Sequence, residues 1–230
     1  MPSAYLLVSH GSRDPRPEIA MQQLARMVSQ KTSHLVDIAT LEMNILPLHQ
    51  QMQKFIRIAL AAGYRRLKIV PLFLLPGVHV MTDIPAEVAL AQKAFGEDII
   101  IELQPYLGSH PKLGKLLIRT KAEAAILLAH GSRRPSSQAQ VAQIAASLGA
   151  VPAFWSVAPS LDSQVKELIA AGYQEIAILS YFLFAGGITD AIAQSVETLK
   201  LQFPQVKFQL TEPLGATTEL AELIWDLTNR

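Results

Sequence analysis

The chain is written twice. "SHGSRDP" at residues 9–15 returns as "AHGSRRP" at 129–135, each directly behind an apolar run, "AYLLV" and "AAILL". "AAGYRRLKIVPLFLLPG" (61–77) returns as "AAGYQEIAILSYFLFAG" (170–186), with 8 of 17 positions identical. "LGSHPKL" (107–113) returns as "LGATTEL" (214–220). Shared hydrophobic periodicity does not produce identities of this kind. A repeat this long means two similar domains, not a solenoid of short units. The 230 residues suffice for two small domains, and the boundary is expected near "RTKAE" (119–123), which gives domains 1–120 and 121–230.

Within each half, short apolar runs alternate with segments of helical period. In the first half, strands are predicted at "AYLLVS", "VDIATLEM", "RLKIVPLFL" and "DIIIELQP". Between them lie helices at 17–31, with Ala20, Leu24, Met27 and Val28 on one face, at 48–62, stopped by Gly63, and at 83–95. A last helix is expected at 109–121. The second half predicts strands at 124–129, 152–157, 175–183 and 206–211, with helices at 137–148, 161–171, 189–202 and 216–228. Near-continuous apolar strands alternating with helices mean parallel sheets covered on both faces. The expected class is α/β: two similar Rossmann-like domains, each with a four-stranded parallel sheet. In such sheets, ligands sit beyond the carboxyl ends of the strands.

Composition narrows the chemistry. With no cysteine there is no disulfide, thiolate metal site or cysteine-ligated cluster, so a metal must be held by nitrogen and oxygen. The net charge of +1 and the lack of a long basic run argue against nucleic acid as partner. The apolar stretch "IVPLFLLP" is too short to span a bilayer, and "MPSAYLLVSHG" has no basic leader. A cytoplasmic protein with no membrane partner is expected.

His10 ends the first strand before a glycine turn, Glu42 ends the second in "TLEMN", and His79 follows the third in "PLFLLPGVHVMTD". Three candidate ligands therefore lie at three strand ends facing one crevice. Two imidazoles and a carboxylate suit Fe²⁺, Co²⁺ or Ni²⁺. The same residues also read as a turn cap at His10 and a solvated loop residue at His79. Gly11 allows close approach of a ligand, Ser12 and the helix amides can meet an anion, and Arg13 and Arg16 suit carboxylate or phosphate. His34, His49 and His110 fall on predicted surface turns or helix starts and carry no assigned role. Trp155 and Tyr181 are expected in the second core.

"LLVSHGSRDP", the glutamate of the second strand, and "VPLFLLPGVHVMTDIP" together resemble the sirohydrochlorin chelatases of the long, two-domain type, over essentially the whole chain. The resemblance implies insertion of Fe²⁺ or Co²⁺ into a modified tetrapyrrole, for siroheme or cobalamin synthesis. It places the family's metal-site histidines on His10 and His79 and its acidic residue on Glu42. Ser12 and Arg13 would hold substrate carboxylates. The divalent ion is substrate, no organic cofactor is implied, and a monomer is expected because both halves are fused. The second copy departs from the pattern. "PGVHVMTD" has become "AGGITD", two residues shorter and without histidine, and Glu42 is replaced by Trp155 or Ser156. His130 therefore stands without partners, and only the first copy is expected to keep a complete site. A phosphohydrolase using His10 and a non-catalytic tetrapyrrole or metal carrier are the alternatives.

Overall fold

The computed structural model describes residues 2–32, 34–117, 121–132 and 134–228, and strand and helix alternate through them. The first repeat runs β1 (Ser3–Ser9), α1 (Pro15–Thr32), β2 (Val36–Thr40), α2 (Leu48–Ala61), β3 (Arg66–Pro71), α3 (Ile84–Phe95) and β4 (Ile100–Leu103). The second runs β5 (Ala124–Ala129), α4 (Pro135–Ser147), β6 (Val151–Phe154), α5 (Leu161–Ala170), β7 (Glu175–Tyr181), α6 (Gly187–Gln202), β8 (Lys207–Leu210) and α7 (Thr218–Thr228). Each repeat forms a four-stranded parallel sheet, in the orders β2-β1-β3-β4 and β6-β5-β7-β8.

The central strand of each sheet is covered on both faces, as its unbroken apolar sequence requires. In β1, Ala4, Leu6 and Val8 pack with Leu48, Met52 and Ile56 of α2 and Ile84 and Ala91 of α3. The alternate residue Tyr5 points the other way, its ring 5.9 Å from that of Trp225 on α7. In the second sheet, Ile126 and Leu128 join Val165 of α5 and Ile192 and Val196 of α6. The buried stripe of α1 is Met21, Leu24, Ala25 and Val28. Ala20 and Met27, expected on that stripe, are half-buried at its margins.

The division of the chain differs from the expected 1–120 and 121–230. One compact unit is Met1–Leu113 together with Ala216–Arg230, and the other is Gly114–Gly215. The last helix of the second repeat thus completes the first unit, where α7 packs on α1 and β3. Lys31 pairs with Glu222 at 2.9 Å, and the Lys68 ammonium donates to the Thr228 carbonyl. The predicted helix 109–121 is absent from the described residues. Short 3₁₀ turns stand at Leu107–Ser109 and Leu113–Leu117, and residues 118–120 lie outside the description.

Two further expectations are corrected. His110 is not on the surface: it is buried, its Nε2 lies 3.0 Å from Asp226 Oδ2, and its Nδ1 accepts the Lys112 N–H. It therefore helps to seat α7. Tyr181 is buried as expected, but Trp155 is 38% exposed because it lies beyond the end of β6. Among the described residues, no helix is long and apolar enough to cross a membrane.

Ile224 is fully buried on α7. Ile224→Ala should cost about 2–5 kcal/mol, as large-to-small core changes do. The loss should fall on the first unit. Hydrogen exchange of the β1 amides should accelerate while that of β5 stays unchanged; faster exchange in β5 alone would place α7 with the second unit instead.

Candidate metal site

Parallel pairing sets the ends of β2, β1 and β3 side by side, with Ser9 opposite Thr40 and Val8 opposite Pro71. His10 is the first residue beyond β1, and Glu42 the second beyond β2. The chain leaving β1 turns through Gly11 at φ +97°, and a Cβ there would lie 2.2 Å from the Glu42 carbonyl oxygen. Only glycine permits both that backbone conformation and that approach. The Glu42 N–H in turn donates to the His10 carbonyl at 2.9 Å. The loops that carry His10 and Glu42 are thereby laced together by their backbones.

Past Glu42 the chain bends through Met43 at φ +59°, a conformation that costs an L residue about 1–2 kcal/mol. Hydrogen bonds in the loop hold the bend. Gln51 Nε2 donates to the Thr40 and Leu46 carbonyls at 2.8 Å each, and its Oε1 accepts the Thr40 N–H at 3.1 Å and Asn44 Nδ2 at 3.3 Å. Asn44 Oδ1 accepts the Leu46 N–H.

His79 opens a single π-helical turn, His79–Asp83, that feeds directly into α3. Such wide turns recur at functional sites, because they re-aim side chains without ending the helix. Asp83, four residues on, lies 2.8 Å from His79 Nδ1. The carboxylate accepts from Nδ1–H, which leaves the Nε2 lone pair for the site.

His10 Nε2 lies 3.8 Å from Glu42 Oε2, and His79 Nε2 lies 3.9 Å from Glu42 Oε1. The imidazole centroids are 4.9 Å apart. One ligand atom from each of the three residues falls within a 4.8 Å span, the one such grouping of three or more among the described residues. Metal–ligand bonds of about 2.0–2.2 Å place cis and trans donors about 3–4.4 Å apart, so the arrangement matches a divalent ion with little movement. The side chains of His10, Glu42 and His79 are 54%, 44% and 35% exposed, so further ligands can reach the ion. Three protein donors with open positions suit an ion that exchanges, in contrast to the closed shell of a structural site. A cavity of about 330 Å³ opens onto Glu42, His79 and Asp83.

The turn after His10 is organised differently from expectation. Ser12 Oγ accepts the Asp14 N–H at 3.0 Å, and Asp14 accepts both the backbone N–H and the guanidinium of Arg16. The Arg16 contacts hold the Asp14 carboxyl at about 2. Arg16 is therefore engaged. Helix amides were expected to meet an anion here, but Pro15 and Pro17 have no N–H and that of Arg16 is taken. Arg13 is exposed and makes no ion pair or hydrogen bond among the described residues.

Two residues near the site carried no role in the sequence reading. Asp83 was legible as a carboxylate four residues after a histidine at a helix start. His49 donates its N–H to Glu87 Oε2 and lies 2.9 Å from it through Nδ1. That pair ties the start of α2 to α3.

The second unit shows what was lost. Ser156 donates its N–H to the His130 carbonyl, as Glu42 does to His10, so Ser156 and not Trp155 occupies the Glu42 position. Its hydroxyl donates back to that same carbonyl. The π turn is absent: α6 begins at Gly187 and runs through Thr189 and Asp190, the counterparts of Thr82 and Asp83.

A protein-family model, CbiX, matches residues 4–124 and again 124–230. A curated sirohydrochlorin cobaltochelatase of Priestia megaterium is 25% identical over 95% of this chain and 76% of its own length. A sirohydrochlorin ferrochelatase of the same organism is 26% identical over 96% of this chain and 87% of its own. The fold matches SirB from Bacillus subtilis with Fe³⁺ at a TM-score of 0.80 and 22% identity, covering 99% of this chain and 94% of that one.

Gly11→Ala should force the Glu42 loop aside and weaken Co²⁺ binding sharply. Gly63→Ala is the control: its φ is also positive, +85°, but nothing lies within 4 Å of its Cβ. That variant should lose about 1–2 kcal/mol of stability from backbone strain and keep its Co²⁺ affinity. Visible-absorption titration with Co²⁺ and urea unfolding compare the two. Equal Co²⁺ affinity in both variants would refute the role of the Gly11 approach.

Proposed function

The chain belongs to the CbiX family, and from that premise we propose that it inserts a divalent ion, Fe²⁺ or Co²⁺, into sirohydrochlorin. The observation that carries the reading is the meeting of His10, Glu42 and His79 at three adjoining strand ends. The relatives named for iron and for cobalt are about equally similar to this chain, and the donor set accepts both ions.

Insertion replaces two pyrrole N–H protons by one M²⁺ bound to the ring nitrogens. Neither the ion nor the ring changes oxidation state, so the reaction calls for no organic cofactor. His10 and His79 hold the incoming ion through Nε2 and, as it passes to the ring, their vacated lone pairs accept the departing protons. Asp83 keeps the His79 ring in the tautomer that this exchange needs. Glu42 balances the charge of the ion and relays protons to solvent. Arg13 and the Ser12 hydroxyl anchor peripheral carboxylates of the macrocycle. Both repeats lie on one chain, which favours action as a monomer.

The direct test is an absorbance scan of sirohydrochlorin with Fe²⁺ or Co²⁺, with the protein absent or present in substoichiometric amount. Many turnovers per protein are expected; a single stoichiometric change would mark a carrier. His10→Ala and His79→Ala should each abolish catalysed insertion in a folded protein, whereas His130→Ala keeps most of it. Equal, near-total losses at His10 and His130 would overturn the one-site reading.

Arg13→Ala should act on binding. Loss of one charge-assisted hydrogen bond costs roughly 1.5–3 kcal/mol, or about ten- to a hundredfold in KM with kcat retained. A fall in kcat alone would remove Arg13 from carboxylate recognition.

A further inference from the structure

We propose that Gln51 is the positioning residue for Glu42, and that its clamp on the loop sets metal affinity in the first repeat. This rests on the reading of His10, Glu42 and His79 as the ion's ligands. Glu42 is not held by burial, since its side chain is 44% exposed. Its backbone is fixed on one side by the N–H bond to the His10 carbonyl and the close approach to Gly11. On the other side the chain must turn through the strained Met43 and return to α2.

Gln51 makes that return. From the first turn of α2 its amide reaches the carbonyls of Thr40, two residues before Glu42, and Leu46, four after it. Its oxygen takes the Thr40 N–H and the Asn44 amide. One side chain thus grips the loop before, within and after the Met43 bend. The N-cap residue of α2, Pro47, offers no side-chain cap, and the first-turn His49 N–H is taken by Glu87 of α3, so neither reaches the loop. An asparagine is too short to span the loop, and a glutamate would set oxygen against two carbonyl oxygens.

The second repeat supplies an internal comparison. Counted back from the shared AAGY (61–64 and 170–173), α5 starts one turn later than α2, so Gln164 stands at the place of Phe55 and Ser160 at that of Gln51. The glutamine is not kept: Ser160 caps α5 instead, its Oγ accepting the Ser163 N–H at 3.2 Å. The loop there is closed by its own backbone, the Phe154 N–H donating to the Pro159 carbonyl. That loop carries Ser156 and no carboxylate. A glutamine grips the loop in the repeat with a candidate ligand to position, and the repeat without one has a serine at that place.

The test is a Co²⁺ titration of the full-length protein near neutral pH, read by visible absorption, with urea unfolding on the same samples. Gln51→Met preserves length and apolar contact while removing every hydrogen bond. It should weaken Co²⁺ binding about ten- to a hundredfold, as loss of a ligand-orienting contact does. Glu42→Gln should weaken it as well. If Gln51 acts through Glu42, adding Gln51→Met to Glu42→Gln should leave affinity within about twofold of the single Glu42 variant. Asn44→Ala, an exposed change that removes part of the same clamp, should shift affinity in the same direction, again only with Glu42 present. Should Gln51→Met not fold, this variant carries the test. The same loss of affinity with and without Glu42, or a urea shift with Co²⁺ binding unchanged, overturns the proposal and leaves metal insertion standing. Failure of the unsubstituted protein to bind Co²⁺ strikes the metal site itself and both readings with it.

Discussion

The site depends on the place of β1 between β2 and β3. A parallel sheet in the order β2-β1-β3-β4 changes direction at its first strand, so successive loops diverge from one point and open a crevice at the carboxyl ends. Three neighbouring strands deliver one candidate ligand each, His10, Glu42 and His79, into that crevice. β1 is buried on both faces, so its end cannot shift without disturbing the packing of Leu6, Leu7 and Val8. The rigid sheet sets the base from which the loops start, and loop contacts supply the last few ångströms. Gly11 against the Glu42 carbonyl, Gln51 across the Met43 bend and Asp83 behind His79 act at that scale.

The two repeats show how differently a fold and a site tolerate change. The second sheet has the same order and the same buried central strand, although few of its residues are identical to the first. Core packing accepts many apolar combinations of similar volume. The grouping of His10, Glu42 and His79 does not. One carboxylate replaced by Ser156 and two residues removed from the turn before α6 suffice to leave His130 alone. The π turn that presents His79 lies at the position of the missing pair. A shift of that size redirects a helical side chain by about half a turn, far more than coordination permits.

Much of this was legible in the chain. The duplication, the strand and helix order, and the strand ends carrying His10, Glu42 and His79 follow from apolar runs, glycine turns and the repeat. The misread parts share one cause. His110 follows a glycine-serine pair on a short loop, which locally looks like surface. Its burial depends on Asp226, distant in sequence and brought near by α7. The expected helix at 109–121 had reasonable local signals, and the role of covering the first sheet passed to 218–228. The engagement of Arg16 by Asp14 needed actual geometry, because every charged neighbour competes equally in a linear reading.

By itself, the sequence determined the α/β class, the twofold repeat and the residue types available to hold an ion, because apolar periodicity and turn residues act over a few positions. Only the tertiary structure decided which helix completes which unit, and that Ser156 stands where Glu42 stands. It alone placed the donor atoms of His10, Glu42 and His79 within a 4.8 Å span. Those outcomes are set by contacts between residues far apart in the chain. Their free energy depends on distance and direction in space, which local pattern does not encode.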